Sequence, residues 1–161
     1  MDIKTNWNNI RAHFNNSYRS NFYVSIAYLD SENIPTVTPI GSLFLNDNQT
    51  GYYFEKFSSM LLLSAEPKKK VCVLAVNSNR WFWIKSLVKG RFNKYPAIKL
   101  YGELGERREA KEIEIRRLKN RTKHIRGMKG YKYLFGDMKF VREVIFTKGR
   151  KVNLGEMTKD L

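Results

Sequence analysis

The stretch from Gly51 to Glu66 reads GYYFEKFSSMLLLSAE, and its residue pattern changes halfway along. The aromatic run at 52–54 is typical of a half-buried strand, whereas Ser58 and Ser59 precede four apolar residues that favour a helix. A strand that enters a helix through a Lys-x-Ser-Ser turn leaves backbone N–H groups unpaired beside two hydroxyls and an ammonium. Such a turn is a favourable seat for a phosphate. The alternative is that Ser58 only caps a helix that packs on a sheet.

Length and composition indicate one globular domain that spans residues 1–161. The chain weighs 19.0 kDa, 42% of its residues are hydrophobic and 14% are aromatic, which is enough to form a core. The start of the sequence lacks a signal pattern, and no apolar run approaches about 18 residues. We therefore expect a soluble, cytoplasmic protein. Its single cysteine, Cys72, excludes an internal disulfide.

The charge is unusual for a domain of this size. Thirty Lys and Arg residues against 15 Asp and Glu residues give a formal net charge of +15. Such a charge favours anionic partners, among them nucleic acid, anionic lipid and phosphorylated cofactors. Because the charges are spread along the chain, they support an anionic ligand without identifying nucleic acid.

The first half of the chain predicts a helix followed by strands. The apolar spacing after Thr5 or Asn6, either of which can cap a helix, places Trp7, Ile10, Phe14 and Tyr18 on one face. Residues 21–29 and 35–45 predict two strands. The second strand contains Pro39 and Gly41, which indicate a bulge, a ligand lying against the main chain, or simply an edge strand.

The second half predicts further strands and one charged helix. Strands are predicted at 71–76, 97–104 and 139–147, and the aromatic run at 80–84 indicates burial under a cofactor ring or in a subunit interface. Acids and bases at salt-bridging spacings predict a helix over 106–123. The order of elements predicts an α+β fold, mainly antiparallel, whose sheet curls into a barrel with flanking helices.

The sequence contains few residues with independent chemistry. His13 and His124 stand without a second ligand at metal-binding spacing, so no metal site is predicted. Nucleophile-elbow, P-loop and dinucleotide-binding motifs are missing from the sequence. If the protein catalyses a reaction, a cofactor is expected to carry the chemistry, and no catalytic residue is assigned.

Three segments, in this order and spacing, resemble the FMN-binding split-barrel family related to pyridoxamine 5'-phosphate oxidase. They are IPTVTPIG at 34–41, YFEKFSS at 53–59 and AIKLYGE at 97–103. The resemblance covers nearly the whole chain, and it implies a split barrel with FMN bound between the subunits of a homodimer.

The resemblance also implies where the cofactor binds. The backbone of 38–42 would lie along the isoalloxazine ring, the segment 54–59 would hold the ribityl chain and phosphate, and Trp81, Trp83 and Lys85 would close the cleft or contact the neighbouring subunit's flavin. The implied cofactor-binding residues are Thr38, Pro39, Ile40, Gly41, Ser42, Phe54, Glu55, Lys56, Phe57, Ser58, Ser59, Trp83 and Lys85.

The chain departs from the oxidase itself at three places. Ser59 and Met60 replace an Arg-Lys pair, the Gln of a later strand is replaced near Ala97, and Arg150–Asn153 lacks the Arg-x-His substrate motif. These departures argue against pyridoxamine phosphate oxidation, so the sequence predicts an FMN-dependent oxidoreductase of unknown substrate and electron donor. Two alternatives remain open: a non-enzymatic protein that binds RNA or another polyanion through Arg107–Arg126, and a haem-handling protein with His124 as the iron ligand.

Overall fold

The computed structural model describes residues 1–56 and 68–161, which form one antiparallel sheet of seven strands with helices packed around it. The predicted α+β class is confirmed. The helices are α1 (Ile3–Asn21), α2 (Arg80–Lys89), α3 (Glu112–Arg121) and α4 (Tyr131–Phe135), with short 3₁₀ turns at Lys123–Ile125 and Gly155–Thr158. The strands are β1 (Val24–Leu29), β2 (Pro35–Ile40), β3 (Phe44–Leu45), β4 (Thr50–Phe54), β5 (Lys70–Val76), β6 (Ala97–Glu109) and β7 (Phe140–Lys151).

The sheet curls because its two outer strands are neighbours in sequence. The strand order is β2-β1-β5-β6-β7-β4-β3, and only residues 41–43 join β2 to β3. Six flat strand spacings would separate the edges by about 29 Å, whereas the four Cα steps from Ile40 to Phe44 reach at most about 15 Å. The seam is held by Ser42, whose hydroxyl accepts from Phe54 N at 3.1 Å and donates to Phe54 O at 3.2 Å.

Helix α1 covers one face of the sheet, as the apolar spacing predicts. Ile3, Trp7, Ile10 and Phe14 are buried and pack with residues of β1, β5, β6 and β7 in the larger core cluster. The predicted cap at Thr5 or Asn6 is wrong, because the Asp2 carboxylate accepts from the backbone N–H groups of Lys4 and Thr5. Helix α1 also continues through Asn21, which moves the start of the first strand to Val24.

The predicted strand at 35–45 is two strands with a corner between them. Strand β2 ends at Ile40, and β3 begins at Phe44 after the turn that contains Gly41. Pro39 lies on β2, which is an outer strand of the sheet and therefore tolerates a residue without a backbone N–H. The outer-strand explanation for Pro39 therefore agrees with the structure.

The predicted helix over 106–123 is wrong at its beginning. Residues up to Glu109 extend β6 and pair with β7, where Arg107 lies opposite Arg142. Arg108 crosses from this strand to α3 and binds Glu114 at 2.7 Å and Glu143 at 2.7 Å. Helix α3 packs Leu118 against Phe44, Tyr52, Phe54 and Val141 in a second core cluster. The strand continues because its charged side chains find partners on neighbouring elements.

The aromatic run at 80–84 lies in α2, a surface helix. The Asn79 side chain caps its N-terminus, and Gly90 ends it in the left-handed conformation at φ +65°. Of the helices in the described ranges, none has the length and apolar content needed to cross a bilayer.

A candidate cofactor cleft beside the barrel seam

A cleft of about 560 Å³ opens where the two outer strands of the sheet meet. Its walls come from the end of α1 and the turn after it, the corner between β2 and β3, strand β4, and the segment around α4. We call it the seam cleft, and its lining residues are Tyr18, Phe22, Tyr23, Thr38, Pro39, Ile40, Gly41, Ser42, Tyr53, Phe54, Lys56, Ile125, Leu134, Phe135 and Met138. The volume lies within the range of about 300–1,000 Å³ that is usual for small-molecule sites.

The wall at 38–42 is the segment that the sequence assigned to the cofactor ring. All five residues, Thr38 to Ser42, line the seam cleft. At Gly41 the chain passes close to the turn after α1, because a Cβ there would lie 3.1 Å from the carbonyl oxygen of Phe22. Phe22 is itself held in a left-handed conformation at φ +64°, and its N–H donates to Tyr18 O at 2.7 Å. The glycine therefore lets two chain segments meet at one wall.

The segment at 54–56 divides its side chains between the seam cleft and the fold. Phe54 and Lys56 line the cleft, whereas Glu55 is buried and binds two arginines. Its carboxylate accepts from Arg107 Nε at 2.8 Å and from Arg142 Nε at 3.2 Å. Glu55 is therefore placed to hold strand β4 against β6 and β7 and does not itself line the cleft.

The Lys56 ammonium lies between the seam cleft and α4. It donates to the carbonyl oxygens of Lys132, at 3.2 Å, and Gly136, at 2.5 Å, near the C-terminal end of α4. Lys132 O also accepts the N–H of Gly136, the residue that follows α4, so the ammonium binds both carbonyls where the helix ends. Lys56 thus fixes the segment that carries Leu134 and Phe135 over the cleft.

Other predicted residues are not brought into this cleft. Phe57, Ser58 and Ser59, with the predicted phosphate turn, lie outside the described residues. Trp83 and Lys85 belong to α2 and do not line the seam cleft of their own chain. Trp83 donates its indole N–H to Asn77 O at 2.6 Å and packs edge-on against Phe92 at 5.1 Å.

Two tyrosines at the seam cleft are held protonated by their surroundings. Burial raises the pKa of Tyr53, the Glu55 carboxylate raises it further, and the Arg142 guanidinium opposes the shift. Burial also raises the pKa of Tyr18, against the opposing charge of Arg121. Both phenols therefore offer neutral hydroxyls at physiological pH.

A half-buried arginine supports the wall that contains Tyr18. The Arg121 guanidinium lies 4.5 Å from the Tyr18 ring centroid and 3.5 Å from the Phe44 ring centroid, and it donates to Leu43 O. Burial lowers the pKa of Arg121 to about 10. The polyanion alternative included Arg121 in the stretch Arg107–Arg126, but its guanidinium joins α3 to α1 and to the barrel seam.

Several lining residues were missed by sequence reasoning. Tyr18 was assigned to the packing face of α1, and Leu134, Phe135 and Met138 come from the far end of the chain. The aromatic run at 131–135 was a signal for burial, but its position over the seam cleft depends on tertiary contacts such as those of Lys56.

Comparison with known proteins identifies solved structures that share the fold of this chain. No family model matches this chain, and no curated protein matches it in sequence. HupZ of Group A Streptococcus superposes with a TM-score of 0.57 at 16% identity, covering 92% of this chain and 94% of that chain. An FMN-binding protein from Syntrophomonas wolfei superposes with a TM-score of 0.52 at 16% identity, covering 95% and 96%.

A third solved structure is HutZ, the heme storage protein of Vibrio cholerae, with a TM-score of 0.51 at 7% identity, covering 94% and 95%. The chain has the split-barrel fold. The fold that its resemblance to the FMN-binding split-barrel family implied is thus confirmed. These low identities show the fold alone, so the ligand must be argued from the chemistry of the seam cleft.

Proposed function

We propose that this chain binds FMN in the seam cleft and works as an FMN-dependent oxidoreductase. The observation that carries the proposal is that residues 38–42 and the side chains of Phe54 and Lys56 line the same cleft. These segments are separated along the chain, and the resemblance to the FMN-binding split-barrel family implies that both hold the cofactor. The comparisons add an FMN-binding protein of the same fold.

The shape and chemistry of the seam cleft suit a flat heterocycle. Its lining is mainly aromatic and aliphatic, with main-chain polar groups available along 38–42. Gly41 brings this wall close to the Phe22 carbonyl, so any side chain at 41 would press on the opposite segment. An isoalloxazine ring placed against such a wall is recognised by backbone hydrogen bonds on its polar edge and by apolar contacts on its faces.

Lys56 supplies the positive charge that a phosphate needs. Ser58 and Ser59, predicted from sequence to bind the same group, would add hydroxyl donors. Because the Lys56 ammonium also binds the carbonyls of Lys132 and Gly136, phosphate binding and the position of α4 depend on one side chain. The proposal therefore predicts that bound FMN alters how α4 covers the cleft.

The lining residues have no obvious acid or base for catalysis. Among the described residues of the seam cleft there is no carboxylate and no histidine, and the tyrosines that show shifts are held neutral. When bound, FMN supplies hydride and electron transfer. The contribution of this chain is to position the ring, exclude water from its faces and hold the anionic tail.

The proposal includes a cytoplasmic homodimer with the flavin at the subunit interface. Apolar side chains stand exposed at the rim of the seam cleft, with Phe22 66% and Leu134 54% accessible in the single chain. Such a rim favours a second protein surface over water. Sedimentation of the FMN-loaded protein should give a dimer, and a Leu134→Asp variant should shift it toward monomer.

Flavin titration tests the proposal directly. Flavin fluorescence is measured as protein is added to FMN and, separately, to riboflavin, which lacks the phosphate. We expect quenching with both ligands and tighter binding of FMN. Absence of quenching by the folded protein would overturn the proposal.

Substitution of Lys56 separates its two contacts. If the ammonium binds phosphate, Lys56→Gln should weaken FMN binding by about tenfold or more beyond any loss of riboflavin binding, in line with the loss of a charge-assisted hydrogen bond. An equal loss for both ligands would mean that Lys56 acts only through α4. Lys119→Gln, an exposed lysine change on α3, is the matched control.

Haem is the second candidate ligand. The aromatic, largely apolar lining also suits a porphyrin, and HutZ, a heme storage protein, has the same fold. Ile125 lines the seam cleft, but the adjacent His124 is exposed and does not. A haem titration with a Soret shift that His124→Ala abolishes would favour this candidate over FMN.

A further inference from the structure

Helix α2 turns an apolar stripe toward the solvent. Its outward residues Trp81, Ile84, Leu87 and Val88 are 70%, 49%, 65% and 83% exposed. At about 100° per residue they fall within an arc of about 120°. On the opposite side, Phe82 and Trp83 pack against Phe92, and Ser86 is buried. The stripe is the side of α2 that these contacts leave exposed.

Basic residues flank this stripe. Arg80, Lys85, Lys89 and Arg91 are exposed on α2 or directly after it. From residue 68 to residue 102 the sequence has nine Lys and Arg residues and no Asp or Glu. The 3₁₀ turn whose Met157 O accepts from Phe92 N carries Glu156, and this carboxylate is paired with Lys159 at 2.5 Å.

We infer that α2 is an interfacial helix that docks the protein on an anionic lipid surface. Tryptophan and aliphatic side chains on one face, with lysine and arginine beside them, are the composition that enters the boundary between headgroups and acyl chains. The charge selects this occupant over a second copy of α2. An isologous pairing would bring the same four cations of each chain together, whereas anionic headgroups neutralise them.

A nucleic acid would also attract the charges, but it offers no apolar layer for the four outward side chains. The lipid surface satisfies both features of the helix at once. The helix would lie in the plane of the interface, with its apolar stripe toward the acyl chains. The inference does not rest on the flavin proposal, because α2 does not line the seam cleft of its own chain.

Vesicle sedimentation tests the inference. The full chain is mixed with vesicles of phosphatidylcholine and phosphatidylglycerol, or of phosphatidylcholine alone. We expect the protein to sediment with the anionic vesicles and much less with the neutral ones. Binding should fall as salt shortens the Debye length from about 30 Å at 0.01 M to about 8 Å at 0.15 M. Failure to bind anionic vesicles at low salt would overturn the inference.

Paired variants locate the binding surface. Arg80→Gln with Lys89→Gln should lower affinity for the anionic vesicles by about fivefold for each charge. The matched control, Arg116→Gln with Lys119→Gln, removes two exposed cations from α3 and should change binding far less. Equal losses in the two double variants would show attraction by overall charge and would overturn the assignment to α2.

The apolar stripe needs its own variant. Leu87→Ser with Val88→Ser changes two exposed positions, so the fold and the flavin titration should be unaffected while vesicle binding is lost. Vesicle binding should shift the tryptophan fluorescence of the wild type to the blue. This shift should disappear in Trp81→Phe, because Trp7 is buried and Trp83 is half-buried. If the serine variant instead converts a dimer to a monomer in sedimentation without vesicles, a second copy covers this stripe and the inference is wrong.

Discussion

The Glu55→Ala substitution removes the carboxylate that joins strand β4 to Arg107 and Arg142. Glu55 stands between Phe54 and Lys56, so the change acts next to two residues of the seam cleft without altering either. The Glu55 side chain is 1% exposed and that of Arg142 is 8% exposed, so water cannot replace the lost partner without opening the barrel. Arg107, at 38% exposure, can be hydrated again and should contribute less to the loss.

The expected loss follows from this burial. Removing one partner of a buried ion pair costs about 3–5 kcal/mol, because the remaining charge stays buried. A domain with an unfolding free energy of about 5–15 kcal/mol would remain folded in buffer but be much closer to unfolding. With a urea slope of about 2 kcal/mol/M, the unfolding midpoint should fall by about 1.5–2.5 M.

Urea titration followed by circular dichroism measures this shift. The matched control is Glu156→Ala, which breaks the exposed ion pair with Lys159. It should lower the free energy of unfolding by less than about 1 kcal/mol. The double variant Glu55→Met with Arg142→Met removes both buried charges and should be more stable than Glu55→Ala. If Glu55→Ala behaves like Glu156→Ala, the buried carboxylate does not hold strand β4 against β6 and β7.

Three further changes test other parts of the fold. Ser42→Ala leaves the buried N–H of Phe54 without its hydroxyl partner, and a urea titration should show a loss of about 1–3 kcal/mol; no measurable loss would refute the seam contact. Gly102→Ala drives a Cβ into the backbone of β7 and should lower thermal stability strongly, whereas Gly127→Ala, which meets open space, should not; equal effects would contradict the strand register. Burial lowers the pKa of His13 from 6.5, and the hydrogen bond to Ala75 O opposes this shift. The unfolded state is therefore protonated first, so the free energy of unfolding should fall as pH drops below about 6.5. His13→Gln should flatten that pH dependence, and an unchanged slope would mean that another group causes it.

Local patterns were enough to predict much of the fold. The spacing of Trp7, Ile10 and Phe14 identified the buried face of α1, since a helical period needs no tertiary information. The charged segment from 106 misled the prediction because acids and bases at helical spacings also occur where each has a distant partner. Arg107 binds Glu55, which is 52 residues away, and Arg108 binds Glu143, which is 35 residues away.

The candidate site divides in the same way. Pro39 and Gly41 indicated one wall from sequence as one of several explanations, because a proline fixes the main chain and a glycine permits a close approach to it. Tyr18, Phe22 and Leu134 carry no comparable local signal, and only the closing of the sheet brings α1 and α4 to that wall. For a site at a barrel seam, the sequence can therefore predict the lining residues of one strand, but not the residues that other elements bring to the same cleft.

The positive charge of the chain serves at least two purposes. Arg107, Arg108 and Arg142 are in ion pairs, and the half-buried Arg121 packs against aromatic rings, so these four stabilise the fold. The polyanion alternative, which the sequence placed on Arg107–Arg126, therefore loses three of its arginines.

Six other cations of Arg107–Arg126 stay exposed, namely Lys111, Arg116, Arg117, Lys119, Lys123 and Arg126. If all six contacted phosphates, single-stranded RNA binding would have a salt slope of about −4 on logarithmic axes. The exposed cations beside α2 are fewer, but they flank an apolar stripe that RNA would not cover. That stripe is why the charge at α2, taken with the structure, favours a lipid surface over a nucleic acid.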